Sequence, residues 1–434
     1  MNIAATNDTS PATPAGPRSD QPAREQNIQA IVEYFEGGVK PACANVGIEL
    51  EHTIVKNEGL APVSYSEEHG VRWILEQLRE EYPEALMDGD DLVGVSRPGE
   101  AVTIEPAAQL EISAGPFGSL FEANAVLEEF EDTLAKIVGE QGMTALLLGY
   151  HPSAKATDLE LIPKRRYRFM NEYLGAISPF GPRMMRGSAA TQVSIDYSSV
   201  DDCLRKMRLA SILTPLFSLI SDNALRYEGG LREHYMVRTE IWNECDPDRC
   251  GLVPGVLDPD FSLRRYAEYV LDTPAILVPD AQERWRATDQ TFGEVYANTP
   301  MERADVEHAL SMFFNDVRLK TYVEIRPADA LPVNYAVAYA ALIKGIFYSE
   351  RNLQSYLDKF ADVTEADVAA AKTALMQDGW HAEVYGRPVR ELLEHLVMNA
   401  KLGLPKDDRE FLEPMATLAF NGVSLAELTV FEEE

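Results

Sequence analysis

Apolar side chains recur along this chain with two periods, one near 3.6 residues and one of two. The helical period runs over Gln26–Phe35, Glu67–Tyr82, Leu120–Val138, Lys164–Tyr173, Val200–Arg226 and Glu302–Asn315. In Leu120–Val138, for example, Leu127, Phe130, Leu134, Ile137 and Val138 share one face. From Pro332 to the end the pattern is helical throughout. Alternation, which places successive strand side chains on opposite faces, runs over Val46–Val55, Ala189–Tyr197 and Arg318–Arg326. Asp91–Ser113 reads as an antiparallel pair turning at Ser96-Arg-Pro-Gly-Glu100, and Thr144–Leu148 as a buried strand. Glu228–Pro259 is rich in Gly, Pro and charge and reads as a long loop; loops of that length inside a compact chain are usually functional. Hairpin-paired strands among helices, followed by a helical tail, predict an α+β fold around an antiparallel sheet.

The polar halves of the alternating segments carry the chemistry. If Glu105-Pro-Ala-Ala-Gln109-Leu-Glu111-Ile-Ser113 is one strand, Glu105, Ala107, Gln109 and Glu111 share a face, and Pro106, Leu110 and Ile112 fall mostly on the other. Two carboxylates and a carboxamide with no cation among them suit a hard divalent ion such as Mg²⁺, which takes oxygen ligands. A solvated strand in an acidic protein explains that stretch equally well. Three further segments repeat the even spacing: Glu49 with Glu51, Gln192 with Ser194, and Glu324 with Arg326. As neighbours in one sheet they would crowd carboxylates onto one face, where like charges raise each other's pKa. Two or three Mg²⁺ ions would settle them and bridge the phosphates of ATP. His52 alternates away from the glutamates, toward the core. His308 lies on the helix before the last strand, where capping or surface duty is the simpler role.

Charge changes the picture next. The 434 residues hold 39 Lys and Arg against 70 Asp and Glu, a net charge of −31. That argues against sequence-independent nucleic-acid binding, which needs basic patches, and against docking on anionic membranes. An anionic substrate therefore needs local arginines. Arg165, Arg166 and Arg168 follow Pro163-Lys164, Arg238 and Arg249 lie in the long loop, and Arg318, Lys320 and Arg326 surround the last strand. Guanidinium groups hold carboxylate and phosphate through paired hydrogen bonds, although ordinary ion pairing explains any one arginine. Asp246-Pro-Asp-Arg249-Cys-Gly251 has the residues of a tight turn. No Walker-type loop and no Gly-x-Gly-x-x-Gly after a strand occurs. Cys43, Cys203, Cys245 and Cys250 include no Cys-x-x-Cys pair and read as free thiols. Residues 1–24, rich in Ala, Pro, Thr, Ser and Asp, read as a disordered tail with no signal-peptide pattern. No run approaches the roughly 18 apolar residues of a membrane helix. A cytoplasmic location is expected.

Six segments in order resemble the plant and proteobacterial glutamate–cysteine ligases of the glutamine synthetase superfamily. Gly47-Ile-Glu-Leu-Glu51 looks like that family's opening strand. Val102-Thr-Ile-Glu-Pro-Ala-Ala-Gln-Leu-Glu-Ile-Ser113 is similar to its Leu-Glu-Pro-Gly-Gly-Gln-Phe-Glu-Leu-Ser signature. Ile162-Pro-Lys-Arg-Arg-Tyr-Arg-Phe-Met170 resembles its Pro-Lys-x-Arg-Tyr-x-x-Met segment. Met185-Arg-Gly-Ser-Ala-Ala-Thr-Gln-Val-Ser-Ile-Asp196 resembles its Thr-x-Gln-Val-Asn-Leu-Asp strand. Arg238-Thr-Glu-Ile-Trp242, with Asp246 and Arg249, resembles its Arg-x-x-x-Trp loop. Val317-Arg-Leu-Lys-Thr-Tyr-Val-Glu-Ile-Arg-Pro-Ala-Asp329 is similar to its Arg-Leu-Lys-x-Tyr-x-Glu-x-Arg segment. Two departures stand out: Ala107-Ala108 replace a glycine pair, and Ser194 stands where Asn is common.

The resemblance implies a curved, mostly antiparallel sheet of the glutamine synthetase-like kind, in one ligase domain over residues 25–434 whose part from about 332 is helical. It implies ATP-dependent formation of γ-glutamylcysteine from glutamate and cysteine through a γ-glutamyl phosphate, the first step toward glutathione or ergothioneine. Carried over residue by residue, Glu49, Glu51, Glu105, Glu111, Gln192 and Glu324 would hold Mg²⁺. Gln109 would lie beside them, Arg238 would grip glutamate, and Arg326 would stabilise the transferring phosphoryl group. Arg166 and Lys320 would contact phosphate or substrate. A ligase for another amine, or a non-catalytic amino-acid-binding relative, are the alternatives. Monomer and homodimer both stay open.

Overall fold

The computed structural model describes residues 22–279 and 284–428. At its centre is a nine-stranded sheet. Its strands are β1 (Val46–Lys56), β2 (Glu84–Asp88), β3 (Asp91–Arg97), β4 (Glu100–Ile104), β5 (Leu110–Phe117), β6 (Met143–Leu146), β7 (Ala190–Ile195), β8 (Val317–Leu319) and β9 (Val323–Asp329). The order is β8-β9-β7-β1-β5-β4-β3-β2, with β6 pairing the end of β1. Every pairing in it is antiparallel. The fold is α+β, as the patterning predicts.

Alternation decides which way the sheet faces. On β1, Ile48, Leu50, His52 and Ile54 are buried. His52 has its Nε2 2.5 Å from Glu131 Oε1 and its ring edge-on to Phe130, both on helix Leu120–Gly139. Helix Val200–Ile220 packs on β9, and helix Val333–Phe347 on β1 and β7. The last of these is buried continuously from Ala336 to Phe347, as a helix apolar on all sides must be. The opposite halves of β1, β5, β7 and β9 are then left to face a cavity.

Four expectations need correction. Asp91–Ser113 forms three strands, because Glu105–Gln109 is a second turn and not part of one long strand. There Glu105 N–H donates to Gln109 O (2.9 Å), Ala108 N–H donates to Glu105 O (2.9 Å), and Ala108 takes a positive φ of 66°. Strand β2 and an antiparallel pair, Pro274–Pro279 with Trp285–Thr291, lie outside every predicted strand. Residues Glu84 to Met87 of β2 are exposed, so no buried face imposes alternation on them. The segment Glu228–Pro259 contains helix Val237–Asn243 and a short strand at Cys250–Gly251. The helical C-terminal part carries a small hairpin, Glu383–Val384 with Arg387–Pro388. Several helices are also shorter than their apolar period: Val71–Leu78, Val200–Ile220 and Arg303–Leu310. Nearly all of the predicted tail lies outside the described residues.

Candidate active site

The strand register turns four separate pairs of polar residues into one surface. Glu49 on β1 stands opposite Gln192 on β7 and Ser113 on β5. Glu51 stands opposite Glu111, which in turn faces Thr103 on β4. Glu324 on β9 faces Ser194 on β7 and Arg318 on β8. The Glu105–Gln109 turn closes one end of this face.

A cavity of about 280 Å³ opens over it. Every residue assigned a site role from sequence lines the cavity except Glu324. Its acidic side is Glu49, Glu51, Glu105 and Glu111; its basic side is Arg166, Arg238, Arg318, Lys320 and Arg326. The acidic groups are held by neutral partners. Glu51 Oε2 accepts from Ala190 N–H (2.9 Å), Glu105 Oε2 from Tyr167 O–H (3.3 Å), and Glu111 Oε1 from the hydroxyls of Thr103 and Ser113 (3.3 and 3.2 Å). Burial first, then repulsion from Glu105, pushes the Glu51 carboxyl up to about 8. Burial and the charge of Glu324 raise Glu49. Burial, with Glu49, Glu105 and Glu51, raises Glu111 well above the carboxylate range.

Glu324 is different. It is fully buried and accepts from Arg318 Nε and Nη2 (2.6 and 3.1 Å) and Arg326 Nη1 (3.0 Å), with Lys320 Nζ at 3.0 Å. Burial pushes its pKa up, but these three cations outweigh burial and hold it well below the usual range. Arg326 also donates to Gln192 Oε1. Arg238 donates Nη1 to the carbonyls of Arg326 and Pro327 (3.1 and 3.2 Å) and lies over the Trp242 ring. Arg166 donates Nη2 to Ser311 Oγ (3.1 Å).

The cavity sorts the remaining basic candidates. Arg165 and Arg168 are exposed, and Arg168 pairs with Glu172 on its own helix (3.3 Å). Arg249 is wholly buried, held by Asp246 (2.6 Å), Tyr173 Oη and two carbonyls, so it braces the loop. Gln109 uses both ends of its amide within the protein. Its Oε1 accepts from Ala107 N–H (2.9 Å), and its Nε2 donates to Ser188 O (3.0 Å) and Met185 O (3.3 Å). His308 Nε2 hydrogen-bonds Leu277 O (2.9 Å) and its ring lies against Trp285, away from the cavity. All four cysteines are free. Arg318, one of the basic candidates, also lines the wall, as do Tyr167, Trp242, Ser311 and Phe314, to which sequence reasoning assigned no role. Tyr167 and Trp242 lie inside motifs already singled out. Ser311 and Phe314 had no signal, because the predicted helix was carried through them.

Among the described residues, no three His, Cys, Asp or Glu side chains form a metal-holding group by themselves. The donor set nonetheless fits Mg²⁺. That ion is usually held by one or two carboxylates together with substrate phosphates, not by an all-protein cage. Glu49, Glu51, Glu105 and Glu111 supply only oxygen donors, and none of the four has an ion pair among the described residues.

Carboxylates and guanidinium groups gathered around one cavity on an antiparallel sheet suit an ATP-dependent ligase, the class to which its family assigns the protein. The chain belongs to glutamate–cysteine ligase family 2 (GCS2), whose match spans residues 45–430. It is 28% identical over 430 residues to the chloroplastic glutamate–cysteine ligase B of Oryza sativa subsp. japonica, covering 96% of this chain and 86% of that one. To the chloroplastic glutamate–cysteine ligase of Medicago truncatula it is 28% identical over 411 residues, covering 92% and 80%. The fold is similar to a crystal structure of glutamate–cysteine ligase from Francisella tularensis in complex with AMP. The TM-score is 0.54 at 14% identity, covering 87% of this chain and 82% of that one. No described helix is long and apolar enough to cross a membrane.

Proposed function

We propose that this protein joins the γ-carboxyl group of L-glutamate to the amine of L-cysteine with ATP, forming γ-glutamylcysteine for glutathione or ergothioneine synthesis. The observation that carries this reading is the single cavity with an acidic and a basic side. Glu49, Glu51, Glu105, Glu111, Gln192 and Glu324 would hold Mg²⁺, two or three ions in all, and Glu324 would do so only by exchanging the hydrogen bonds it accepts from Arg318 and Arg326. Bound Mg²⁺ neutralises the phosphate oxygens of ATP during transfer. Arg238 binds a carboxylate of glutamate, because its buried guanidinium has only carbonyl acceptors for hydrogen-bond partners among the described residues. Arg326 and Lys320 face the phosphoryl group, and Arg166 takes a phosphate or substrate oxygen from the opposite helix.

In the first step the γ-carboxylate attacks the γ-phosphorus of ATP, ADP leaves, and a γ-glutamyl phosphate forms. The cysteine amine then attacks the acyl carbon, phosphate leaves, and the amide remains. The protein's part is to place charges and exclude water. Ala107, Ala108 and Ser194, the residues at the two departures from the family pattern, do not line the cavity.

The test is phosphate release with glutamate, Mg²⁺–ATP and a panel of amines, with product mass measured. Cysteine-dependent turnover giving γ-glutamylcysteine is expected. Turnover with a different amine and none with cysteine would reject the proposal. Glu105→Gln is expected to lower kcat by about 100-fold or more, and a fully active variant rejects the metal assignment.

A further inference from the structure

Behind Arg238 and Trp242 lies a second cavity, of about 10 Å³. That is the space one water molecule occupies. Four buried polar atoms in its lining residues have no hydrogen-bond partner among the described residues: Arg238 Nε, Trp242 Nε1, Asn315 Oδ1 and Ser218 Oγ. Buried polar groups are nearly always satisfied, so four such atoms on residues lining one small space point to a common partner. Their chemistry selects it. Arg238 Nε and Trp242 Nε1 can only donate, Asn315 Oδ1 can only accept, and a serine hydroxyl does either. The amide of Asn315 is oriented by its other end, which donates to Tyr269 Oη (3.2 Å).

A metal ion or an ammonium group would meet two N–H donors and the guanidinium charge. An anion would meet Asn315 Oδ1 and the carboxylate of Asp316, which shares the lining. Two donors and two acceptors match a neutral molecule with two of each. We propose that this cavity binds one ordered water, accepting from Arg238 Nε and Trp242 Nε1 and donating to Asn315 Oδ1 and Ser218 Oγ, and that this water orients Arg238. Arg238 Nη1 is already committed to two carbonyls. With Nε on the water, Nη2 is the nitrogen left for a ligand in the main cavity. Ser218, on helix Val200–Ile220, and Asn315 are thereby positioning residues for a group they do not touch. The second half of this inference rests on Arg238 as the glutamate ligand.

Two measurements test it. A crystal structure of the whole protein is expected to show one water within about 3.2 Å of all four atoms; an empty or differently filled cavity overturns the site. In steady state, Ser218→Val fills the space, whereas Ser218→Ala leaves room for the water with one hydrogen bond fewer. Ser218→Val is expected to raise KM for glutamate about tenfold, leaving KM for ATP within about twofold, and Ser218→Ala to change KM for glutamate by less than about threefold. An unchanged KM for glutamate in Ser218→Val overturns the positioning role. If the wild-type protein does not use glutamate, the functional reading fails while the crystallographic result still decides the water site.

Discussion

Ala108 sits at a φ of 66° in the turn between β4 and β5, in the left-handed region that costs an alanine about 1–2 kcal/mol. The family signature has glycine at this point, and the backbone shows why. Replacing Ala108 with glycine relieves that strain. It also gives up a buried methyl group, worth about 0.8 kcal/mol, and loosens the unfolded chain by about 0.4–1 kcal/mol. The terms nearly cancel. Ala108→Gly is therefore expected to leave the denaturation midpoint almost unchanged, whereas Ala210→Gly in helix Val200–Ile220 has no strain to relieve and costs about 1 kcal/mol or more. Equal losses at both positions would show that the turn is unstrained. At this scale the sequence was informative about identity and less so about placement. Glu49, Glu51 and Gln192 were legible because even spacing on a strand fixes a shared face. Glu105 and Gln109 were grouped with Glu111 by that same rule, and a turn brings them together instead.

The hairpin of β8 and β9 depends on charge, because Arg318, Lys320 and Arg326 converge on the single carboxylate of Glu324. Removing one partner from a buried ionic cluster leaves uncompensated charge, at about 3–5 kcal/mol. Glu324→Gln is expected to lose stability of that order in urea denaturation without Mg²⁺. The pH dependence has a definite sign. Glu324 titrates in the folded protein well below its ordinary 4.5, so the unfolded chain binds more protons in acid. The stabilisation is therefore present above the ordinary carboxylate range and is lost as pH falls toward the lowered value. Glu324→Gln should flatten that acid limb, and an unaltered limb would show that the cluster does not contribute. Strands with one apolar face, such as β1 and β7, could be read from alternation. Strand β2 could not, because solvent on both faces removes the constraint. Within Glu228–Pro259, helix Val237–Asn243 is two turns long, too short for its apolar period to stand out from the loop.

At the scale of the molecule, one cavity gathers residues from Glu49 to Arg326, so a ligand there ties together strands and helices far apart in sequence. No three described acidic or imidazole side chains form a metal-holding group alone, and the carboxylates present repel one another. Mg²⁺ without nucleotide should therefore bind weakly, and ATP without Mg²⁺ should be repelled by the acidic side. Together they complete one site. Binding to the folded state alone stabilises it by about 2.7 kcal/mol at a ligand concentration of 100 times Kd, which shifts the thermal midpoint of a chain this long by a few degrees. With a non-hydrolysable ATP analogue, Mg²⁺ and analogue together should exceed the sum of their separate effects, and a chelator should abolish the excess. The comparison needs constant ionic strength, because a net charge of −31 responds to any added cation. A full shift with Mg²⁺ alone would mean that the protein forms a metal cage unaided. No shift with both would remove ATP from the cavity, and the proposed ligase reaction with it.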